Sequence, residues 1–306
     1  MEPNDHIRRP RLSRRRFRWP LKAGVAVVVT TLVLFPRVDL LIRNIGHWAR
    51  LNELIEPDAP GLEALEARVR ERLATPSTGT EPGQASPPAV ENPALVLATT
   101  QAVVEQAIPY AWDWETWGVA DYVPRVGETL AKGQEDCDGR AVVAASLLRR
   151  MGFDARLVSD MGHVWVWTPA GETMSPGELA GGEAFLRQGE NGSEVNLAAV
   201  FNARSIAYDW ARNLAYGVAV FPAWREAVLV LLAWGLVLGR CPKWGGAILG
   251  LAVLVAGWWV VRVGGADYWS PRIGLVWLGF GMVAVGMVGA WAARRRASPA
   301  LSAQDA

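Results

Sequence analysis

Two uninterrupted apolar runs near the C-terminus, Trp244–Val261 and Ile273–Ala293, constrain this chain most. Each is long enough to cross a hydrocarbon core of about 30 Å as a helix. A shorter run, Ala23 to Phe35, rises only about 20 Å as a helix. It reaches spanning length when extended back to Trp19, with Lys22 snorkelling to the interface. The run Ala227–Gly239 is marginal alone. If Phe221–Trp224 joins it, Arg225 and Glu226 must lie near the interface, because a mid-membrane charge costs about 2.5–3.5 kcal/mol. The expectation is about four transmembrane helices, at 19–36, 221–239, 244–261 and 273–293.

Basic residues orient them. A basic tail at 1–18 (Arg8, Arg9, Arg11, Arg14, Arg15, Arg16, Arg18) precedes the first span. Arg240 and Lys243 follow the second, and Arg294-Arg295-Arg296 open a basic tail at 294–306 after the last. The positive-inside rule then puts both termini in the cytoplasm of a multi-pass cell-membrane protein, and residues 37–220 outside. Ser13-Arg14-Arg15-Arg16-Phe17 also resembles a twin-arginine export signal, but no small-x-small cleavage site follows the first apolar run, so an anchor is the simpler reading. The 16 tryptophans suit membrane interfaces. A net charge of +1 argues for neither nucleic acid nor an acidic partner. The two cysteines, Cys137 and Cys241, fall on opposite sides of the membrane in this topology, which rules out a disulfide between them. Gly246, Gly250, Gly279, Gly281, Gly286 and Gly289 suggest close packing of the last two spans.

The exported part opens with a helix and linker at 37–93. Leu62, Leu65, Val69 and Leu73 form one helical stripe, expected to pack on the domain or the membrane surface. Thr75 to Pro93 has the composition of a flexible tether. A globular domain follows at 94–217. It reads as a helix at 94–108, an aromatic cluster from Tyr110 to Trp117, a helix from Cys137 to about Arg150, and strands at 153–159, 163–168 and 172–175. Loops and a helix at 197–216 complete it. The aromatic cluster is core packing or a wall of a substrate groove. Asn191-Gly192-Ser193 fits a glycosylation acceptor, a pattern common by chance.

Chemistry concentrates between Glu128 and Ser175. Cys137 follows a polar turn, with Asp136 or Glu135 placed to cap the helix it opens. Cys137, Ala141, Ala144, Ala145 and Leu148 share one helical face, with Arg140 off it. Free N–H groups and the positive dipole end at a helix start favour thiolate, so a lowered thiol pKa is expected. Of the three histidines, His6 lies in the basic tail and His47 beside the first span, which leaves His163, at the start of a strand, to serve as base. Cysteine alone is most often core, and a lone histidine most often a satisfied polar residue.

These pieces together resemble the transglutaminase-like superfamily, cysteine enzymes of papain-like fold that use Cys, His and Asp in that chain order. The matching residues are Tyr122-Val123-Pro124 with Glu128-Thr129-Leu130, then Asp136-Cys137-Asp138-Gly139, Gly152 with Ala155-Arg156-Leu157-Val158, and Gly162-His163-Val164-Trp165. The resemblance covers roughly Ala94 to Glu178. It implies an α+β domain in which a helix bearing the cysteine packs on a small antiparallel sheet bearing the histidine. It also implies acyl transfer through a Cys137 thioester, with hydrolysis of a peptide or amide bond the default over transamidation. The family's acid usually precedes a proline after the histidine strand, where this chain has Ser175-Pro176, with Glu172 and Glu178 nearby. The Cys137 N–H would serve the oxyanion, with Gln134 or Trp117 as further substrate-binding groups. No metal or organic cofactor is implied, and the partners are the membrane and a peptide or protein substrate at the cell envelope. The alternative is a catalytically silent domain of the same kind, acting as a binding or scaffold module. A transport role is a poorer fit, since the spans hold almost no mid-membrane ionisable residue.

Overall fold

The computed structural model describes residues 18–75, 92–159, 163–174, 186–189, 192–195, 203–238, 244–268 and 270–295. Ser175, Glu178, Cys241, Asn191, the 13–17 motif and most of the 75–93 linker lie outside the described residues. The chain divides into two compact units, one of Phe35–Asn213 and one of Met1–Leu34 with Leu214–Ala306.

In the first unit, α2 (Val38–Ala49), a 3-10 turn (Leu51–Leu54), α3 (Leu62–Ala74) and α4 (Pro93–Ala107) precede the short α5 (Asp113–Thr116) and α6 (Val126–Lys132). Next come α7 (Cys137–Arg150) and five strands: β1 (Arg156–Ser159), β2 (Val164–Thr168), β3 (Gly171–Thr173), β4 (Leu186–Gly189) and β5 (Gly192–Val195). The sheet is antiparallel in the order β3-β2-β1-β4-β5. Pro93 at N1 and the Asn92 side chain on Leu95 N start α4. Gly133, at φ 67°, ends α6 in the left-handed conformation that glycine adopts without strain.

The helix α7 is the centre of this unit. The sequence shows one apolar stripe, yet every residue from Ala141 to Leu148 is buried, because α3, α4 and α6 pack on it as well as β1 and β2. Its small residues allow that crowding. A Cβ on Gly139 would stand 2.2 Å from Glu135 Cγ and 2.8 Å from Pro124 Cγ, so only glycine fits where the loop before α7 folds back over its first turn. The core also extends upstream of Ala94. Leu51, Leu54, Leu62, Leu65, Val69 and Leu73 join Val96, Leu147 and Leu157 in one cluster, each such side chain worth about 1.5–3 kcal/mol. The α3 stripe therefore packs on the domain. Polar ties secure it: Arg150 donates to Glu66 and Leu157 N–H to Asn52 Oδ1.

The second unit holds α1 (Arg18–Leu34), the C-terminal part of α8 (Ala203–Val220), α9 (Ala223–Val237), α10 (Trp244–Gly264) and α11 (Ile273–Arg295). Two of these, α10 and α11, are long and apolar enough to cross a membrane alone, and the chain offers up to four spans if α1 and α9 each join a neighbouring helix across a bend. The hairpin α10–α11 is packed backbone to backbone. On α10, Gly250, Gly257 and Gly264 recur every seven residues. Added Cβ atoms there would meet α11 backbone at 2.9, 2.7 and 2.9 Å. Gly279 and Gly286 face α10 in the same way, whereas a Cβ on Gly281 would meet nothing, correcting its expected packing role. The Arg262 guanidinium donates to Glu226 Oε2 at 2.7 Å and to the carbonyls of Val218 and Phe221, so this ionisable pair neutralises itself.

Candidate active site

The N-cap of α7 is Asp136, whose side chain accepts the Asp138 N–H at 3.0 Å. Cys137 therefore sits in the first helical turn, half-buried, as the sequence indicates. The Val164 backbone N–H also points at its sulfur, which sets the sulfur at the start of β2, one residue after His163.

The expected lowering of the thiol pKa does not hold. Burial, then the negative charges of Asp138 and Asp136, push the Cys137 thiol well up, and the thiol donates to Asp138 Oδ1 at 3.2 Å. Burial, with two adjacent carboxyl groups, outweighs a helix dipole worth a fraction of a charge. The resting sulfur is a neutral thiol.

Those two acids belong to a larger buried group. Asp113, Glu135 and Asp136 each offer an oxygen within 4.8 Å of the others. Among the described residues none of the three has an ion-pair partner. Asp113 Oδ2 accepts Tyr122 N–H at 2.7 Å, while its Oδ1 is buried with no donor. Glu135 accepts Trp117 Nε1–H at 2.7 Å and Asp136 N–H at 3.1 Å. Burial first, then the neighbouring acids, raises Asp113 and Asp136 well above the usual carboxyl range; burial also raises Glu135. Asp113 lies within hydrogen-bonding reach of Glu135, so a shared proton removes one of the charges. Carboxyls this close need such a proton, or a bound cation, to balance them.

His163 is half-buried and lies parallel to Trp165, ring centroids 6.1 Å apart. Its Nε2 is 2.9 Å from the Met174 carbonyl oxygen. A carbonyl only accepts, so Nε2 carries a hydrogen. Met174 adopts φ 57°, rare for a residue with a side chain. Gln101 Oε1 accepts its N–H at 3.2 Å and holds it there. The strained residue aims its carbonyl at the imidazole, a placement of strain common at functional sites.

The group orienting His163 is thus the backbone of the residue before Ser175. Glu172 is exposed and pairs with Trp167, four residues along β2 from His163, about 13 Å away by strand rise. It does not reach the imidazole. Trp117 is also corrected: its ring is buried against Tyr122 and its N–H is committed to Glu135, so it belongs to the core. Gln134 is half-buried, its amide 3.4 Å from Thr116 Oγ1, a bond long enough to exchange for another acceptor. His47 is structural, with Nδ1 against the Val123 carbonyl at 2.6 Å.

Sequence reasoning missed Asp113, Asp138 and Met174. The Asp113-x-Glu115 acids among tryptophans could have signalled the first, since a buried acid in an aromatic run needs partners. Compared with known proteins, the chain matches no family model, no curated protein and no solved structure.

Proposed function

We propose that this is a membrane-anchored cysteine acyl-transfer enzyme of the transglutaminase-like kind, with Cys137 as nucleophile and His163 as base. The supporting observation is the convergence of the first turn of α7 on the start of β2, where Val164 N–H meets the sulfur one residue from His163. In this reading Cys137 Sγ attacks an amide carbonyl carbon and its proton passes to His163 Nδ1. The Cys137 N–H and the Gln134 amide donate to the oxyanion. The C–N bond breaks, His163 protonates the departing amine, and a thioester remains. Water then attacks, again through His163, releasing a carboxylic acid and restoring the thiol. Because the thiol rests neutral, the proton moves during attack, as in serine enzymes, instead of beforehand. The domain faces outward, between spans at 19–36 and 221–239, with both termini in the cytoplasm.

The test is the rate of Cys137 alkylation by iodoacetamide against pH, in the full chain in detergent with Cys241→Ser. The rate is expected to climb to a midpoint above that of a free thiol, about 8.5, and to fall severalfold at neutral pH in His163→Ala. A thiol indifferent to His163 would leave the binding-module reading, which the Asp138 contact favours.

A further inference from the structure

One turn along α7 from Cys137, the side chain of Arg140 is fixed and yet unclaimed. Its Nε donates to the Ile108 carbonyl at 2.9 Å, and its guanidinium lies over the Tyr110 ring, 5.2 Å from the centroid. Its two terminal nitrogens have no hydrogen bond or ion pair among the described residues. Glu105 and Asp136 are close enough to be felt, but neither is within ion-pair distance. The side chain is half-buried, so holding it there costs solvation that no ion pair among the described residues returns. Residues three apart on a helix have Cβ atoms about 5–6 Å apart, and Cys137 is near enough for its charge to be felt at Arg140. Tyr110 is about half exposed and joins Glu135 by a β-bridge, so the segment carrying the ring runs beside the loop that leads into the nucleophile. The floor continues edge-on from Tyr110 to Trp112 at 5.0 Å, and Trp112 stacks on Trp114 at 4.9 Å.

We infer that Arg140, steadied by Tyr110, is the specificity subsite of the Cys137 centre and takes a substrate carboxylate beside the bond attacked. Tied at Nε and by its stacked face, the guanidinium presents its outer edge as a planar two-donor fork, the geometry that binds carboxylate bidentately. The substrate class is an acidic peptide, carrying a side-chain or chain-end carboxylate. This assignment rests on Cys137 being the nucleophile.

Two small electrophiles test it: anionic iodoacetate and neutral iodoacetamide, on the full chain in detergent with Cys241→Ser. Arg140→Gln is expected to lower the iodoacetate-to-iodoacetamide rate ratio at Cys137 roughly fivefold, any change in thiol ionisation being common to both reagents and cancelling in the ratio. Arg140→Lys, which keeps the charge and loses the fork, should retain part of the ratio. In the unaltered protein the ratio should fall as salt rises, a reading that needs no variant to fold. An unchanged ratio in Arg140→Gln, both rates falling together, or a ratio that rises with salt would overturn the subsite while leaving Cys137 as nucleophile. A Cys137 that resists both reagents would overturn the nucleophile itself, and the subsite with it.

Discussion

The two units handle buried charge in opposite ways. In the membrane unit, Arg262 reaches Glu226 and two backbone carbonyls, so a buried carboxyl group is met by opposite charge. In the other unit, Asp136 and Asp138 set like charge beside one thiol, and Asp113 and Glu135 are buried next to Asp136. The first arrangement is what a fold needs to survive in lipid. The second opposes folding, and groups held against their solvation preference are where function is sought.

The contrast predicts effects of opposite sign. Arg262→Met leaves Glu226 buried without its partner and should destabilise the membrane unit by about 3–5 kcal/mol, read as a lower midpoint of thermal unfolding in detergent. Gly139→Ala asks whether the crowding around Cys137 is rigid. Its Cβ must displace Glu135, at a cost of about 1–3 kcal/mol, whereas Gly281→Ala should change little because nothing lies near that site. Asp138→Asn removes the charge holding the thiol hydrogen, so Cys137 should alkylate roughly tenfold faster at neutral pH. No change there would mean burial alone sets the thiol.

The smallest effect has the opposite sign to the first. A carboxyl whose folded pKa is raised binds its proton more tightly when folded. Its contribution is complete below the unfolded value, near 3.9, and is lost as pH rises through the raised folded value. Wild-type domain stability should therefore fall with rising pH over that window. Asp113→Asn, whose amide oxygen can still accept Tyr122 N–H, should flatten the slope and raise the unfolding midpoint at pH 8 by roughly 2–4 °C. A variant less stable at every pH would show the acids to be structural, and the contrast between units would dissolve.

Much of this was legible in the sequence. The apolar runs at 244–261 and 273–293 fall within α10 and α11, and the helix at Cys137 and the strand at His163 lie where periodicity and glycines place them. Periodicity failed where burial is all-round: α7 shows one stripe because alanine and glycine carry little hydrophobic signal, although they are what lets other helices close in. Trp117 was misjudged for a related reason, since its aromatic run mixes core rings with exposed ones and only tertiary contacts sort them. Asp113 is too far along the chain from Asp136 for spacing to join them. The domain boundary was set late because the polar tether looked like an edge, when chain on both sides of it feeds one core.

The Met174 carbonyl has a consequence for how such a centre is found and how it drifts. A backbone oxygen has no letter of its own, so no alanine scan deletes it and no pattern of catalytic residues includes it. What substitution can alter is the handedness that aims it. Glycine at 174 would allow the turn while loosening it, and a β-branched residue would resist it. In the proposed reading, steering by main chain would release the next position along from supplying an acid. A serine before Pro176 is then compatible with a working imidazole.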